Sequence, residues 1–350
     1  MNKLQKKIID KIQKEDTIPF REFMAMCLYD EKYGYYQTRA TIGREGDFFT
    51  SAHLGSILGR VLGKRVMDLA PEEGPVHVVE LGAGEGYLAL DMLEYISREN
   101  LPLYQRIQYH FVEQNPAVFN GNQKRLNYHL DRLIFYDNLS ELNSLQSAFV
   151  FSNEFFDAFP VHLVTRREDE LSEIHVGFTP PNYTRVFKEP SPIVWRELEE
   201  LGISVGEGCT IEISSDIEGI YRQLIEKIEK FHMVTIDYGY TQDELYHPER
   251  KDGTLMGYHK HTAHENVFQL EGEMDLTTHV NFDALIHYGE KFGVDPKYFK
   301  NQRTYLMDFG LFDLFQDGKE PTTTDAFQLK TLLLPGSMGD IFKILVQEKE

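Results

Sequence analysis

Residues 76–86 read VHVVELGAGEG, a short apolar run that stops at three glycines spaced two apart. From Tyr87 to Ile96 apolar side chains then recur at helical intervals. Strand, glycine turn and helix in that order open a parallel α/β unit. The turn lets backbone approach a ligand closely, and the helix N-terminus offers N–H groups that have no partner within the helix. The alternation continues with an expected strand near Ile107 to Val112, helical character over 116–128, a strand near Ile134 to Tyr136, and another from Ala148 to Ser152. A Rossmann-like parallel sheet covered on both faces is the expected core.

The spacing of the glycines narrows the ligand. A dinucleotide fingerprint needs glycine at the first, third and sixth places of the turn, with alanine tolerated at the sixth, and that place is Tyr87. Here Gly82, Gly84 and Gly86 fall at first, third and fifth after the acidic Glu80, with Ala83 between. That pattern suits S-adenosylmethionine, whose amino-acid tail carries an ammonium and a carboxylate. Glu80 organises the ammonium side, and the loop amides from Gly82 to Gly86 receive the carboxylate. Glu113, closing the run YHFVE, stands where a carboxylate accepts from both ribose hydroxyls, as it also does in nicotinamide enzymes. Asp137 and Asn138, after the third strand, are candidates for the adenine amino group or form a plain polar turn.

Charge and cysteine content exclude other classes. With 36 basic against 56 acidic side chains, the formal charge of −20 repels phosphate backbones and anionic headgroups, so no nucleic-acid partner is expected. Cys27 and Cys209 are far apart and show no zinc or disulfide spacing. No run approaches the roughly 18 apolar residues of a membrane span, and the N-terminus lacks the apolar core of a signal peptide. A cytoplasmic location, without membrane insertion, is expected. His259, His261 and His264 resemble a metal cluster only superficially, since no cysteine or close acidic trio accompanies them, and no metal is expected.

Around the core, Leu4, Ile8, Ile9 and Ile12 predict an amphipathic helix over 2–15. IPFREFMAMCLYDEKYGYY reads as irregular, and a helix is expected over about 53–70. Residues 161–213 read as a β segment, and helix returns at about Asp216 to Lys230. MVTIDYGY is a buried strand ending at Asp237, and the polar stretch 241–280 is too long for an ordinary connector. Helices over 281–292, 300–316 and 325–333 and the strand-like IFKILV close the chain. The expected division is an N-terminal helical cap over 1–70, a core from 71–165 and 205–240, a β-rich insertion over 166–204, a substrate-region insertion with helices over 241–335, and a returning strand in 336–350.

Eight runs extend the reading: GDFFTS at 46–51, ELGAGEG at 80–86, VEQNP at 112–116, NEFFDAFPVH at 153–162, IDYGY at 236–240, GTLMGYHKH at 253–261, DLTTHVNF at 275–282 and MGDIFKIL at 338–345. With them the chain resembles, over nearly its whole length, the MidA-like class I methyltransferases. The fold class implied is α/β, a class I methyltransferase Rossmann-like sheet with an N-terminal helical cap and an inserted α+β substrate region. The resemblance implies a cofactor pocket closed by the GDF segment, with Gly46, Asp47 and Thr50 joining Glu113, Gln114 and Asn153. It also implies a target site built on the NEFFDAFP loop, and mitochondrial relatives that look like protein arginine methyltransferases serving complex I assembly. Four positions depart from the family pattern: Ala52 and His53 replace a usual Pro-Glu, and Ala83 and Glu85 replace a common Pro and Arg.

Methyl transfer from a sulfonium is an in-line displacement, so the protein chiefly positions a lone pair and excludes water. Glu154 and Asp157, three apart after the fourth strand, suit the planar fork of a guanidinium. Either acid, or His279, is placed to take the proton that arginine must lose; the alternative makes Glu154 a structural carboxylate and Asp157 a helix cap. Asp237, Tyr238, Asp275 and Phe156 are further candidates for the substrate side, and Phe48, Phe49 and Phe155 for the pocket wall or core. The expected activity is methylation of an arginine in a protein substrate, possible partners being a respiratory-complex subunit and a second copy of the chain. A small-molecule acceptor, or a noncatalytic assembly factor on the same fold, are the alternatives.

Overall fold

The computed structural model describes residues 2–38, 56–115, 125–260, 262–316 and 320–350. The expected contacts at Gly46, Asp47 and Thr50, the departures at Ala52 and His53, and Phe48, Phe49 and His261 lie outside the described residues. The chain divides into two compact units, one from Met1–Ala40, Phe156–Gly219 and Gly239–Tyr288, the other from Thr41–Phe155, Ile220–Tyr238 and Gly289–Glu350.

The second unit holds the expected sheet. Its strands run in the order Asp295–Asn301, Phe342–Lys349, Ile228–Tyr240, Leu145–Asn153, Val76–Leu81, Ile107–Val112 and Leu133–Tyr136. The last five are parallel to one another, while Phe342–Lys349 runs antiparallel to both its neighbours, so the sheet is mixed rather than wholly parallel. Apolar runs such as VHVVEL occupy its middle, where side chains on both faces of the strand are buried. Helices Ile57–Leu69 and Tyr87–Glu99 pack there, and Gly59 and Gly63 allow the close approach, an added Cβ meeting Asp91 at 2.5 Å and Tyr95 at 3.1 Å. The strand Asp295–Asn301 was not expected: DPKYFKN sits at the sheet edge, half exposed, and lacks the apolar alternation that would betray it. The helix expected over 300–316 is correspondingly short, Gln302–Asp308, followed by a 3₁₀ turn at Phe312–Phe315.

The first unit carries a five-stranded antiparallel sheet from Ile18–Pro19, Val161–Arg167, Glu170–Thr179, Asn182–Lys188 and Thr210–Ser214, and a three-stranded one from Met256–His259, Thr262–His264 and Asp275–Thr277. Thr210–Ser214 pairs with Val161–Arg167, so the expected core boundary at 165 falls inside this sheet, and the core expected from 205 starts in the first unit. The chain leaves the main sheet at Asn153 and returns only at Ile228, in a strand that runs through Asp237 to Tyr240. The stretch expected to be irregular contains a helix, Phe20–Tyr29. Its buried Phe20, Phe23, Met24, Cys27 and Leu28 repeat at one-face helical spacing, a signal that the surrounding aromatics obscure. The segment read as a β insertion likewise includes the helix Pro192–Glu200.

Candidate cofactor site and acidic tyrosine cluster

Strand Val76–Leu81 delivers Glu80 to its end at 3% exposure. Burial pushes its carboxyl up to about 8, and the Tyr109 hydroxyl donates to Oε2 at 2.6 Å. The turn that follows places Gly82, Gly84 and Gly86 all at positive φ. Gly82 and Gly86 are also held by packing, since an added Cβ would meet Phe155 at 2.7 Å and Leu126 at 3.1 Å. At Gly84, among the described residues, an added Cβ would meet nothing nearer than Gly82 O at 4.0 Å, so packing between those residues does not account for the glycine. Gly86 ends the turn as the N-cap of helix Tyr87–Glu99, and among the described residues no side chain caps that helix end.

The amides of the loop are less available than its sequence suggests. Gly82 N–H donates to Val112 O at 2.9 Å, Gly86 N–H to Ala83 O at 3.0 Å, and Gly84 N–H to Glu113 Oε2 at 2.9 Å. Three of the five expected donors are therefore bonded within the protein, and the turn owes its shape to those bonds. Glu113 is half-buried, its Oε1 accepting from Asn115 N–H at 3.0 Å. Burial raises its pKa while these amides oppose the rise. The Gln114 N–H also bonds this carboxylate, so three of its roughly four acceptor positions are taken and about one remains for a ribose hydroxyl. Gln114 is exposed beside it. Asp137 N–H and the Asn138 side chain both donate to Glu141, which gives these two residues the character of a polar turn.

One contact had no sequence signal. Arg125 donates to Glu85 Oε2 and to the Tyr87 hydroxyl, each at 2.8 Å, and to Glu85 O, with its guanidinium 3.6 Å from the centre of the Tyr87 ring. Glu85, one of the four departures, is thus neutralised from 40 residues away. Tyr109 was readable in principle: it pairs with Val78, and that puts it diagonally beside Glu80 on one face of the sheet.

At the end of Leu145–Asn153, Asn153 Nδ2 donates to Glu154 Oε1 at 3.0 Å. Glu154 holds φ at 52°, a conformation that non-glycine residues adopt at a cost and that clusters at functional sites, and its N–H donates to Ile236 O. Asp237 is fully buried, with Oδ2 accepting from Phe155 N–H at 3.2 Å and Oδ1 from Tyr238 N–H at 2.9 Å. It ties this loop to the neighbouring strand. Tyr238 packs edge-on against Phe342 at 5.1 Å.

In the first unit, buried Phe156 packs on Phe159 at 5.2 Å, and Asp157, 3% exposed, accepts Thr278 N–H on its backbone oxygen. Tyr36 donates to Asp275 Oδ1 at 2.8 Å and stacks on Tyr29 at 5.5 Å. Strand pairing sets Tyr258 opposite Asp275. Burial, with the charges of Asp275 and Asp157, raises the pKa of both Tyr36 and Tyr258, so these acids and tyrosines form one electrostatic cluster. Burial, with Arg250 nearby, lowers His279 to about 4, so its ring is neutral at pH 7. Among the described residues, no group of three or more His, Cys, Asp or Glu is placed to hold a metal ion, and no helix is long and apolar enough to cross a membrane.

Comparison with known proteins decides between the ligands this loop admits. Residues 57–300 match the family model described as "Putative S-adenosyl-L-methionine-dependent methyltransferase". The chain belongs to this family. Its cofactor is S-adenosylmethionine, and the class I fold and MidA-like resemblance read from the sequence stand. A Burkholderia thailandensis crystal structure bound to S-adenosyl-homocysteine is similar at a TM-score of 0.86 and 25% identity, covering 99% of this chain and 92% of that one. A Drosophila melanogaster protein named "Protein arginine methyltransferase NDUFAF7 homolog, mitochondrial" is 27% identical over 325 residues, 83% of this chain and 70% of that protein. A Caenorhabditis elegans protein of the same name is 24% identical over 98% of this chain and 85% of its own length. These names overturn the cytoplasmic location expected from the sequence, because both relatives are mitochondrial by name. The lack of a membrane span and of a signal-peptide core was too weak a signal to place the protein.

Proposed function

We propose that this methyltransferase modifies a guanidinium nitrogen of an arginine in a protein substrate, with a respiratory-complex subunit as the expected substrate class. The observation that carries the reading is the loop bearing Asn153, Glu154 and Asp157, with Glu154 held at positive φ and the loop braced by Asp237. It is supported by relatives named as protein arginine methyltransferases.

Glu113 would hold a ribose hydroxyl, and Glu80 the ammonium side of the cofactor. Gly84 would lie against the tail, with the remaining loop amides and the helix N-terminus placed toward the carboxylate. Bound S-adenosylmethionine supplies an electrophilic methyl group on a sulfonium, which passes to the acceptor nitrogen as the carbon–sulfur bond breaks. Glu154 and Asp157 accept N–H bonds from the guanidinium and fix which nitrogen faces the methyl group. The proton released from that nitrogen goes to one of these carboxylates. His279, at about 4, is a weaker base than a free imidazole and serves better as a neutral hydrogen-bond partner. Asp275, which accepts from the Tyr36 hydroxyl, would contact the protein substrate. Asp237 acts through the loop and is a positioning residue.

Incubation of purified protein with methyl-labelled cofactor and a lysate tests the reading. Labelled protein that yields methylarginine on hydrolysis is the expected result. Label confined to small molecules, or to another side chain, overturns it. Sedimentation of the same preparation tests the accompanying expectation of a homodimer.

A further inference from the structure

In the first unit, the strand Glu170–Thr179 is unevenly covered. Its opening residues pair with Val161–Arg167 on one edge, through Glu170, Leu171 and Ser172, whereas Asn182–Lys188 joins the other edge only from Glu173 onward. Among the described residues, the second edge of 170–172 therefore carries no strand. A cavity of about 640 Å³ lies there, between Asp169 and Glu170 on one side and Phe187, Glu189 and Trp195 on the other. Phe187 and Trp195 are 43% and 45% exposed, unusual for large aromatic side chains, and Trp195 is the one tryptophan in the sequence.

We propose that this groove docks an extended, basic segment of the protein substrate, which would add a short strand to the open edge at 170–172. Charge selects the occupant. Among the described residues, Asp169, Glu170 and Glu189 make no ion pair, while the cations beside them are engaged. Arg166 donates to the carbonyls of Val205 and Asp169, Lys188 sits 4.0 Å from Asp16, and Arg167 already covers one face of Phe187 at 4.4 Å. The lining thus sets three carboxylates against the two cations Arg166 and Lys188, an excess of negative charge that, with the Trp195 ring, favours lysine or arginine side chains through ion pairing and cation–π contact. Main-chain pairing supplies affinity without demanding a fixed sequence. The inference rests on a protein acceptor, and it assigns docking to a surface of the first unit.

Emission from Trp195 reads the groove directly. A short peptide alternating arginine with leucine is titrated into the full chain, alongside its glutamate counterpart. The arginine peptide is expected to shift the emission saturably and less so at high salt, and the glutamate peptide to leave it unchanged. In the E170K/E189K double variant the arginine peptide should bind roughly tenfold more weakly or worse, while calorimetric affinity for S-adenosylmethionine stays at the wild-type value and certifies the fold. No emission change, an equal response to the glutamate peptide, or unaltered binding by the double variant overturns the proposal. A shift driven by protein concentration alone overturns it too and gives the face to a second copy. Loss of cofactor binding by the wild type would instead strike at the methyltransferase reading.

Discussion

The glycine loop and the acidic tyrosine cluster are built by opposite means. In the loop, a contiguous stretch of backbone sets the frame: a buried strand, a turn whose amides bond to Ala83, Val112 and Glu113, and a helix start place Glu80 and Gly84, with Tyr109 and Arg125 as supports from further along the chain. In the cluster, Tyr36 reaches Asp275 across 239 positions, and Asp157 and Tyr258 arrive from two further segments. A site made of backbone leaves a contiguous motif in the sequence, whereas one assembled from separate side chains leaves only isolated residues. The family match over residues 57–300 includes the first kind of site, and the proposed acceptor contacts are of the second.

The sharpest way to break this contrast is within the loop itself. Gly82→Val meets both a left-handed backbone and the Phe155 ring, and is expected to cost several kcal/mol together with cofactor binding. Gly84→Ala meets the backbone cost, about 1–2 kcal/mol, with no atom of the described residues nearer its Cβ than Gly82 O at 4.0 Å. It should keep most of the stability and still weaken calorimetric affinity for S-adenosylmethionine. Equal losses of stability in the two variants would mean that Gly84 is there for packing and not for a ligand.

Glu80 gives the next largest effect. Its folded-state pKa of about 8 lies above the ordinary value of 4.5, so between those values the folded chain binds more protons than the unfolded one. Stability should therefore be fullest below pH 4.5 and decline as pH rises toward 8, by an amount on the order of a few kcal/mol at most. Glu80→Gln stays neutral and should flatten that part of the profile in urea melts. An identical slope in both proteins would show that the buried carboxyl is ionised through some partner.

The Arg125 clamp comes third. Arg125→Ala should leave Glu85 unneutralised, loosen the turn and raise the dissociation constant for S-adenosylmethionine by roughly tenfold. Arg125→Lys keeps the charge but not the fork over Tyr87, and should recover only part of that loss. An effect on turnover with unchanged cofactor affinity would move Arg125 out of the loop's support.

Legibility followed the same division. The runs at 76–81, 107–112 and 148–152 were read as strands because burial on both faces makes them continuously apolar, and Glu80 and Glu113 stand at the ends of two of them. The edge strand Asp295–Asn301 escaped because half-exposed strands need no such run. The helix Phe20–Tyr29 escaped although its spacing was regular, since aromatic residues mask a helical stripe. Arg125 could not be paired with Glu85 in advance, because an ion pair across 40 residues has no local pattern. The loop amides were misjudged for a related reason: the turn uses Gly82, Gly84 and Gly86 N–H groups to hold itself, a demand that only the folded backbone makes visible.

The smallest expected effect tests the other half of the comparison. Tyr36→Phe removes the hydroxyl that Asp275 accepts at 2.8 Å and leaves the ring against Tyr29. A lost hydrogen bond to a charged group is worth about 1.5–3 kcal/mol at most, and partial exposure of both residues reduces that. The expected outcome is a severalfold rise in KM for the acceptor protein with cofactor affinity and the urea midpoint nearly unchanged. Asp275→Asn, which can still accept from Tyr36 but carries no charge, separates the two contributions: if the carboxylate recognises a cation, this variant should be worse than Tyr36→Phe. A change in cofactor affinity in either variant would mean that the cluster serves the same ligand as the glycine loop, and the division between the two regions would fail.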